Sequence, residues 1–129
     1  MKGLKIEKAT SVSLGDVRGG TFELFKGMPG RQVTLYKRKK GASFANHFHK
    51  GIDPSKDPEL FFVVSGKVTL FAKNKHGEEF ECTVEDLTFL TIDKNVYHEF
   101  VALTDVVFLE YRCTQFDSDN SDCFSKEEY

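Results

Sequence analysis

Residues 41–66 read Gly41-Ala-Ser-Phe-Ala-Asn-His47-Phe-His49-Lys-Gly-Ile-Asp-Pro-Ser-Lys-Asp-Pro-Glu59-Leu-Phe-Phe-Val-Val-Ser-Gly66. His47 and His49 stand two apart, so on an extended strand both imidazoles leave from one face. Glu59 then opens the run Leu60 to Val64, which is aromatic and β-branched throughout. Phe61 and Val63 occupy one face of that run, and Leu60, Phe62 and Val64 the other. A strand apolar on both faces is buried on both. One face fills an interior, and the other needs cover from the N-terminal segment or from a second copy of the chain, which makes a homodimer an expectation. Ser65-Gly66 reads as a tight hairpin turn into the next apolar run.

Outward from this stretch the pattern stays that of strands. Thirteen Phe and four Tyr with no Trp favour the pleated, half-buried surface of a sheet. Runs at 32–38, 60–64, 67–73, 79–84, 87–92, 96–103 and 106–113 are short and mostly bounded by Gly, Pro, Asn or Asp. Asn74-Lys-His-Gly77 reads as a longer polar turn between two of them. No window shows a helical period, so the expectation is an all-β domain of antiparallel strands closed as a barrel or sandwich. Residues 1–30 read more weakly, with one possible strand at 21–25 and a turn at Gly27–Gly30, and are expected to cover one sheet edge. Residues 114–129 are acidic and polar and are expected to run over the surface.

Bulk properties exclude several classes. With 129 residues, 40% hydrophobic, 29% charged and a formal charge of -2, the chain reads as one domain, 1–129, able to bury a core without disulfide or structural metal. Dispersed Lys and Arg leave no basic footprint for nucleic acid or a membrane surface. The longest apolar run is too short for a membrane helix, and the first residues lack an apolar export segment, so a cytoplasmic location is expected. Cys82, Cys113 and Cys123 are odd in number with no CxxC pair, and are read as reduced and not catalytic.

The candidate chemistry centres on histidine. A third imidazole, His98, lies in the later run Val96-Tyr97-His98-Glu99-Phe100, so His47, His49, Glu59 and His98 can converge inside a barrel. Three imidazoles and one carboxylate suit one divalent ion, iron, manganese, zinc, nickel or cobalt, with positions left open for a small-molecule substrate. His76, in a polar turn, is read as surface. Lys50 and Lys56, in the loop between His49 and Glu59, are candidate contacts for an anionic group, against the plainer reading of exposed lysines. Phe44, Phe61 and Phe89 are candidate walls of an apolar pocket, with Tyr36 or Arg112 on substrate. Arg112 shares strand parity with Glu110, which alternatively makes the two a surface ion pair. Asp117, Asp119, Ser121 and Glu128 have the spacing of an EF-hand calcium loop, but Asp122 stands where that loop needs Gly, so a solvated tail is preferred.

The same residues carry a resemblance. Gly41, His47, His49, Glu59 and Gly66 resemble the first motif of the cupin superfamily, in which Gly, five residues, His-x-His, a spacer, Glu, six residues and Gly follow in order. Residues 85–98 are similar to the second motif, with Asp93 in place of the usual Pro and Asn95 in place of Gly; Asn tolerates the left-handed turn. The motif's closing Asn is Ala102 here, and the spacer of nine residues, 50–58, is longer than usual. The resemblance spans about 31–113. It implies a single jelly-roll barrel with His47, His49, Glu59 and His98 as metal ligands, and an enzyme acting on a small oxygenated substrate. A narrower likeness, through His49-Lys50, 59–66, Tyr97-His98-Glu99 and the tail, is to the small cupins that isomerise or epimerise nucleotide-linked keto-sugars. Those work without metal, with a base at His47 or His49 and an acid at Tyr36 or Tyr97. Their Arg-Gly pair before the first histidine is Ala45-Asn46 here. A non-catalytic ligand-binding cupin is the third reading.

Overall fold

Alternating aromatic and β-branched residues suit a pleat with one face inward, and among the described residues nine stretches adopt it. The structure is a computed structural model that describes residues 1–12, 18–119 and 121–129. Its strands are β1 (Leu4–Lys8), β2 (Gln32–Arg38), β3 (Ser43–His47), β4 (Glu59–Ser65), β5 (Val68–Lys73), β6 (Glu79–Val84), β7 (Thr88–Ile92), β8 (Tyr97–Ala102) and β9 (Val106–Arg112). They form two antiparallel sheets, one ordered β1-β7-β4-β9-β2 and the other β3-β8-β5-β6. Among the described residues there are two short 3-10 turns, Pro54–Lys56 and Lys126–Glu128, and no α-helix. Among the described residues no helix is long and apolar enough to cross a membrane. The core lies between the sheets, where Phe61, Leu70, Leu90, Ile92 and Phe100 pack together.

All seven expected strands are present with small changes of bounds. Two strands escaped the sequence pattern, β1 and β3. The stretch 21–25 is not a strand: Phe25 takes a left-handed φ of 55° and starts a turn that Met28 N closes on Phe25 O at 3.2 Å. Its ring stacks on Tyr111 at 4.6 Å and meets Phe89 edge-on at 5.4 Å, while Phe89 in turn packs on Phe62 at 4.7 Å. The N-terminal segment thus covers the outer face of β4. Phe89 therefore faces outward and is no wall of an inner pocket. Residues 13–17 of the expected edge-covering segment, and Asn120 of the tail, lie outside the described residues.

Ser65-Gly66 is not a hairpin turn. It carries the chain from β4 in one sheet to β5 in the other. Gly66 sits at φ 94°, and a Cβ there would lie 2.2 Å from the Asp105 carbonyl oxygen. The Asn74–Gly77 turn does join paired neighbours, β5 and β6, and the Asn74 side-chain oxygen accepts from the amides of His76 and Glu78, both at 3.0 Å.

Within β3 a bulge interrupts pairing with β8 between Ala45 and His47, and Ala45 and Asn46 are both left-handed, at φ 67° and 56°. Three positions separate Phe44 from His47, which on a regular strand would set them on opposite faces. The bulge restores them to the same one. Asn95, in the second motif, takes the left-handed φ of 62° that its type permits.

Candidate active site

The strands bring His47, His49, Glu59 and His98 together, with one ligating-type atom from each within 4.8 Å of the others. Glu59 opens β4, His98 lies on β8, His47 ends β3 and His49 follows it. Glu59 Oε1 lies 2.8 Å from His49 Nε2 and 3.1 Å from His98 Nε2. Both contacts are skewed from the axis of a good hydrogen bond, and we describe them as ion-pair contacts. The other nitrogen of each ring is committed: His98 Nδ1 donates to the Val96 carbonyl at 3.0 Å, and His49 Nδ1 donates to the carbonyl of Asp122. A carbonyl only accepts, so His49 carries its proton on Nδ1, and a bare Nε2 lone pair facing a carboxylate would be repelled. His49 is therefore held as an imidazolium. Burial pushes its pKa down, but contacts with Cys123 and Glu59 outweigh burial and raise it to about 10. Burial raises the Glu59 pKa, yet the two histidines hold it well below the carboxylate range.

His47 differs from its neighbours. Its ring lies 4.5 Å from that of His49 and 4.9 Å from that of His98, centroid to centroid, and among the described residues neither of its nitrogens has a hydrogen-bond partner. Burial, then the nearby imidazoles, lower its pKa to about 3, so the ring is neutral at neutral pH.

His47, His49 and Glu59 of this cluster line a cavity of about 380 Å³, and His98 lies behind them. A narrower extension of about 120 Å³ runs inward along Phe44, Phe61, Phe100 and Phe108. Tyr36, His47, Glu59 and Glu110 border both. The Tyr36 hydroxyl donates to Glu110 Oε1 at 2.8 Å, and Arg112 Nη2 reaches the same oxygen at 2.7 Å. Burial first, and then the charge of Glu110, push the Tyr36 phenol up to about 12. Burial first, and then the charge of Glu59, raise Glu110 to about 8. The Glu110–Arg112 pair expected on the surface is thus buried, and its members are 2% and 5% exposed.

Lys56, 8% exposed, lines the cavity with Nζ 3.2 Å from Cys123 Sγ. Lys50 does not join it; its ammonium sits over the Phe124 ring at 4.0 Å. Tyr97 is no candidate acid, because it shares the outward face of β8 with Glu99, to which its hydroxyl donates at 2.5 Å. His76 is exposed, as expected. Cys82 and Cys113 are half-buried and free. Cys123, read as a plain tail residue, lines the cavity, and its contact with His49 leads in drawing its thiol pKa down.

Sequence reasoning missed several residues of this site, Cys123 and Phe116 among them. Gln32, Thr34 and Arg38 share the inward face of β2 with Tyr36, a period-2 signal that was there to be read. Asp122, in the tail, gave no such signal. The tail is not simply solvated either: Phe124 bridges to Phe48, and Asp122 is 1% exposed.

The fold is a cupin-type jelly roll, and its structural neighbours are RmlC-like sugar-nucleotide enzymes. The dTDP-4-dehydrorhamnose 3,5-epimerase of Sulfolobus tokodaii superposes with a TM-score of 0.76 at 20% identity, over 100% of this chain and 81% of that one. The TDP-quinovose 3,4-ketoisomerase WlaRB of Campylobacter jejuni gives 0.75 at 18%, over 98% and 95%. The 3,4-ketoisomerase QdtA of Thermoanaerobacterium thermosaccharolyticum, as a mutant complexed with TDP-4-keto-6-deoxyglucose, gives 0.72 at 16%, over 93% and 86%. No protein-family model matches the chain, and no curated protein matches it.

These neighbours correct the expected cofactor. They are epimerases and ketoisomerases of dTDP-sugars, the group whose resemblance implies work without metal. The expected iron, manganese, zinc, nickel or cobalt ion is withdrawn.

Proposed function

We propose that the protein is a metal-free isomerase or epimerase of a nucleotide-linked 4-keto-sugar. The observation that carries this is one cavity bordered by an imidazole without hydrogen-bond partners, His47, a phenol, Tyr36, and a fixed cation, His49. A hydrogen on carbon next to a ketone is acidified only if the enolate oxygen is stabilised as the proton leaves. In this reading His47 takes the proton, because its nitrogens alone in the cluster are uncommitted. His49 supplies positive charge near the developing oxyanion without reorganising, because its Nδ1 and Nε2 are both held. Tyr36 returns a proton to carbon or oxygen, with Glu110 orienting its hydroxyl. Lys56 and Arg112 are the candidate contacts for the diphosphate, and Arg38 stands in for the missing Arg-Gly pair. Lys50 has no part.

Incubation with TDP-4-keto-6-deoxyglucose in D2O, followed by proton NMR, tests the reading. Loss of the C3 hydrogen with deuterium entering at C4 of a new 3-keto product identifies a 3,4-ketoisomerase, and entry at C3 and C5 with inversion identifies a 3,5-epimerase. His47→Asn should abolish exchange, and Tyr36→Phe should slow turnover about 10²-fold or more. Tight binding of TDP with no exchange moves the assignment to a ligand-binding protein.

We also propose a homodimer. β2 is an open sheet edge, and its outward Val33 and Leu35 are 58% and 59% exposed. A second copy is the natural cover for such an edge. The three free cysteines suit a reducing, cytoplasmic location.

A further inference from the structure

The strongest unassigned feature lies in the C-terminal tail. The Asp122 carboxylate accepts three backbone amides of the 50–58 loop: Lys50 N at 2.8 Å on Oδ1, and Gly51 N at 3.1 Å and Asp53 N at 3.0 Å on Oδ2. Its own main-chain carbonyl is the acceptor for His49 Nδ1. On one side of the peptide the residue holds a loop, and on the other it holds an imidazole of the site.

The loop so held has cavity residues of its own. Asp53, fully buried, caps the Pro54–Lys56 turn by accepting from Ser55 N at 2.9 Å. That turn puts the Ser55 hydroxyl 3.0 Å from Arg112 Nη1 and sets Lys56 in the cavity wall beside Cys123. A carboxylate that accepts several amides is a rigid anchor, since each bond is charge-assisted. Tail docking is reinforced next door, where Phe48 and Phe124 exchange both backbone hydrogen bonds at 3.0 Å.

We propose that Asp122 is a positioning residue: with its main-chain carbonyl it fixes the orientation and the Nδ1 proton of His49, and with its side chain it holds the loop that sets Ser55 and Lys56 against the cavity. The site is therefore incomplete without the tail. The catalytic consequence rests on the keto-sugar reading, whereas the geometric consequence does not.

Two sets of readouts separate them. In the unaltered protein, the amides of Lys50, Gly51 and Asp53 should exchange slowly with solvent, and the histidine ¹⁵N spectrum should show His49 with a proton fixed on Nδ1. Asp122→Ala keeps the main-chain carbonyl but loses the carboxylate that docks it against the 50–58 loop, so the three amides should exchange fast and the His49 Nδ1 proton should no longer be fixed, while near-UV circular dichroism shows the barrel folded and kcat for the keto-sugar falls about 10- to 100-fold. Asp122→Asn, which keeps one amide-accepting oxygen, should restore the His49 signature and most of kcat. Fast exchange at the three amides of the unaltered protein, or a His49 signature unchanged in Asp122→Ala, overturns the proposal. Should Asp122→Ala not fold, amide exchange in the unaltered protein and the Asn variant still decide. Should the unaltered protein lack turnover, the function reading falls while the His49 spectra judge Asp122 alone.

Discussion

Glu110 shows how one side chain can be decided by its surroundings. It is buried, shares its Oε1 between Tyr36 and Arg112, and has a pKa of about 8 against an ordinary 4.5. A carboxyl raised on folding binds its proton more tightly in the native state. Its contribution is full below pH 4.5 and is lost as pH rises through 8. Glu110→Gln keeps the shape without the titration. The stability of the native protein relative to this variant should therefore fall by roughly 2–4 kcal/mol between pH 4.5 and 9, measurable by urea unfolding at stepped pH. A gap that stays constant with pH would show that Glu110 is ionised throughout. The sequence made Glu110 and Arg112 a pair by parity, but parity does not say which face of a strand is inside, and the pair turned out buried. His47, His49, Glu59 and His98 were legible because their spacing implies one face and one interior. What spacing could not supply was the difference between them: His49 has its Nδ1 on the Asp122 carbonyl, remote in sequence, and its Nε2 beside the Glu59 carboxylate, whereas His47 has no such partner at either nitrogen.

Strands and turns were legible wherever period two was unbroken. β3 was missed because its bulge at Ala45–Asn46 breaks that period, and β1 because a five-residue edge strand that is mostly exposed has little apolar signal. Ser65-Gly66 was recognised as a turn but assigned to a hairpin, since a turn dipeptide does not state which sheet its second strand joins. Two glycine exchanges test these elements in opposite directions. Gly66→Ala places a methyl 2.2 Å from a carbonyl oxygen at φ 94° and should cost about 3 kcal/mol or more. Ala45→Gly relieves a left-handed alanine and should leave stability equal or raise it by up to about 1 kcal/mol. Thermal unfolding of both variants checks the pair, and a stabilising Gly66→Ala would contradict the crossing described for β4 and β5.

For the molecule as a whole, the outer face of β4 is covered by Phe25, so the proposed homodimer would form through the exposed β2 edge. Light scattering at micromolar concentration should give twice the chain mass, and Leu35→Glu should return it to monomer with the barrel intact. A monomeric unaltered chain removes the dimer. The pairing scheme has a separate consequence. β1 pairs with β7 in the register Leu4↔Ile92, β2 with β9 through Gln32↔Arg112, and β3 with β8 through Ser43↔Val101. Among the described strands only β5 and β6, joined by the Asn74–Gly77 turn, are both consecutive and paired. Almost every ladder thus closes a long loop, whose entropy is spent before any contact compensates it. Refolding from denaturant should be slow, on the order of milliseconds to seconds, with the β5–β6 hairpin as the one place where structure can begin locally.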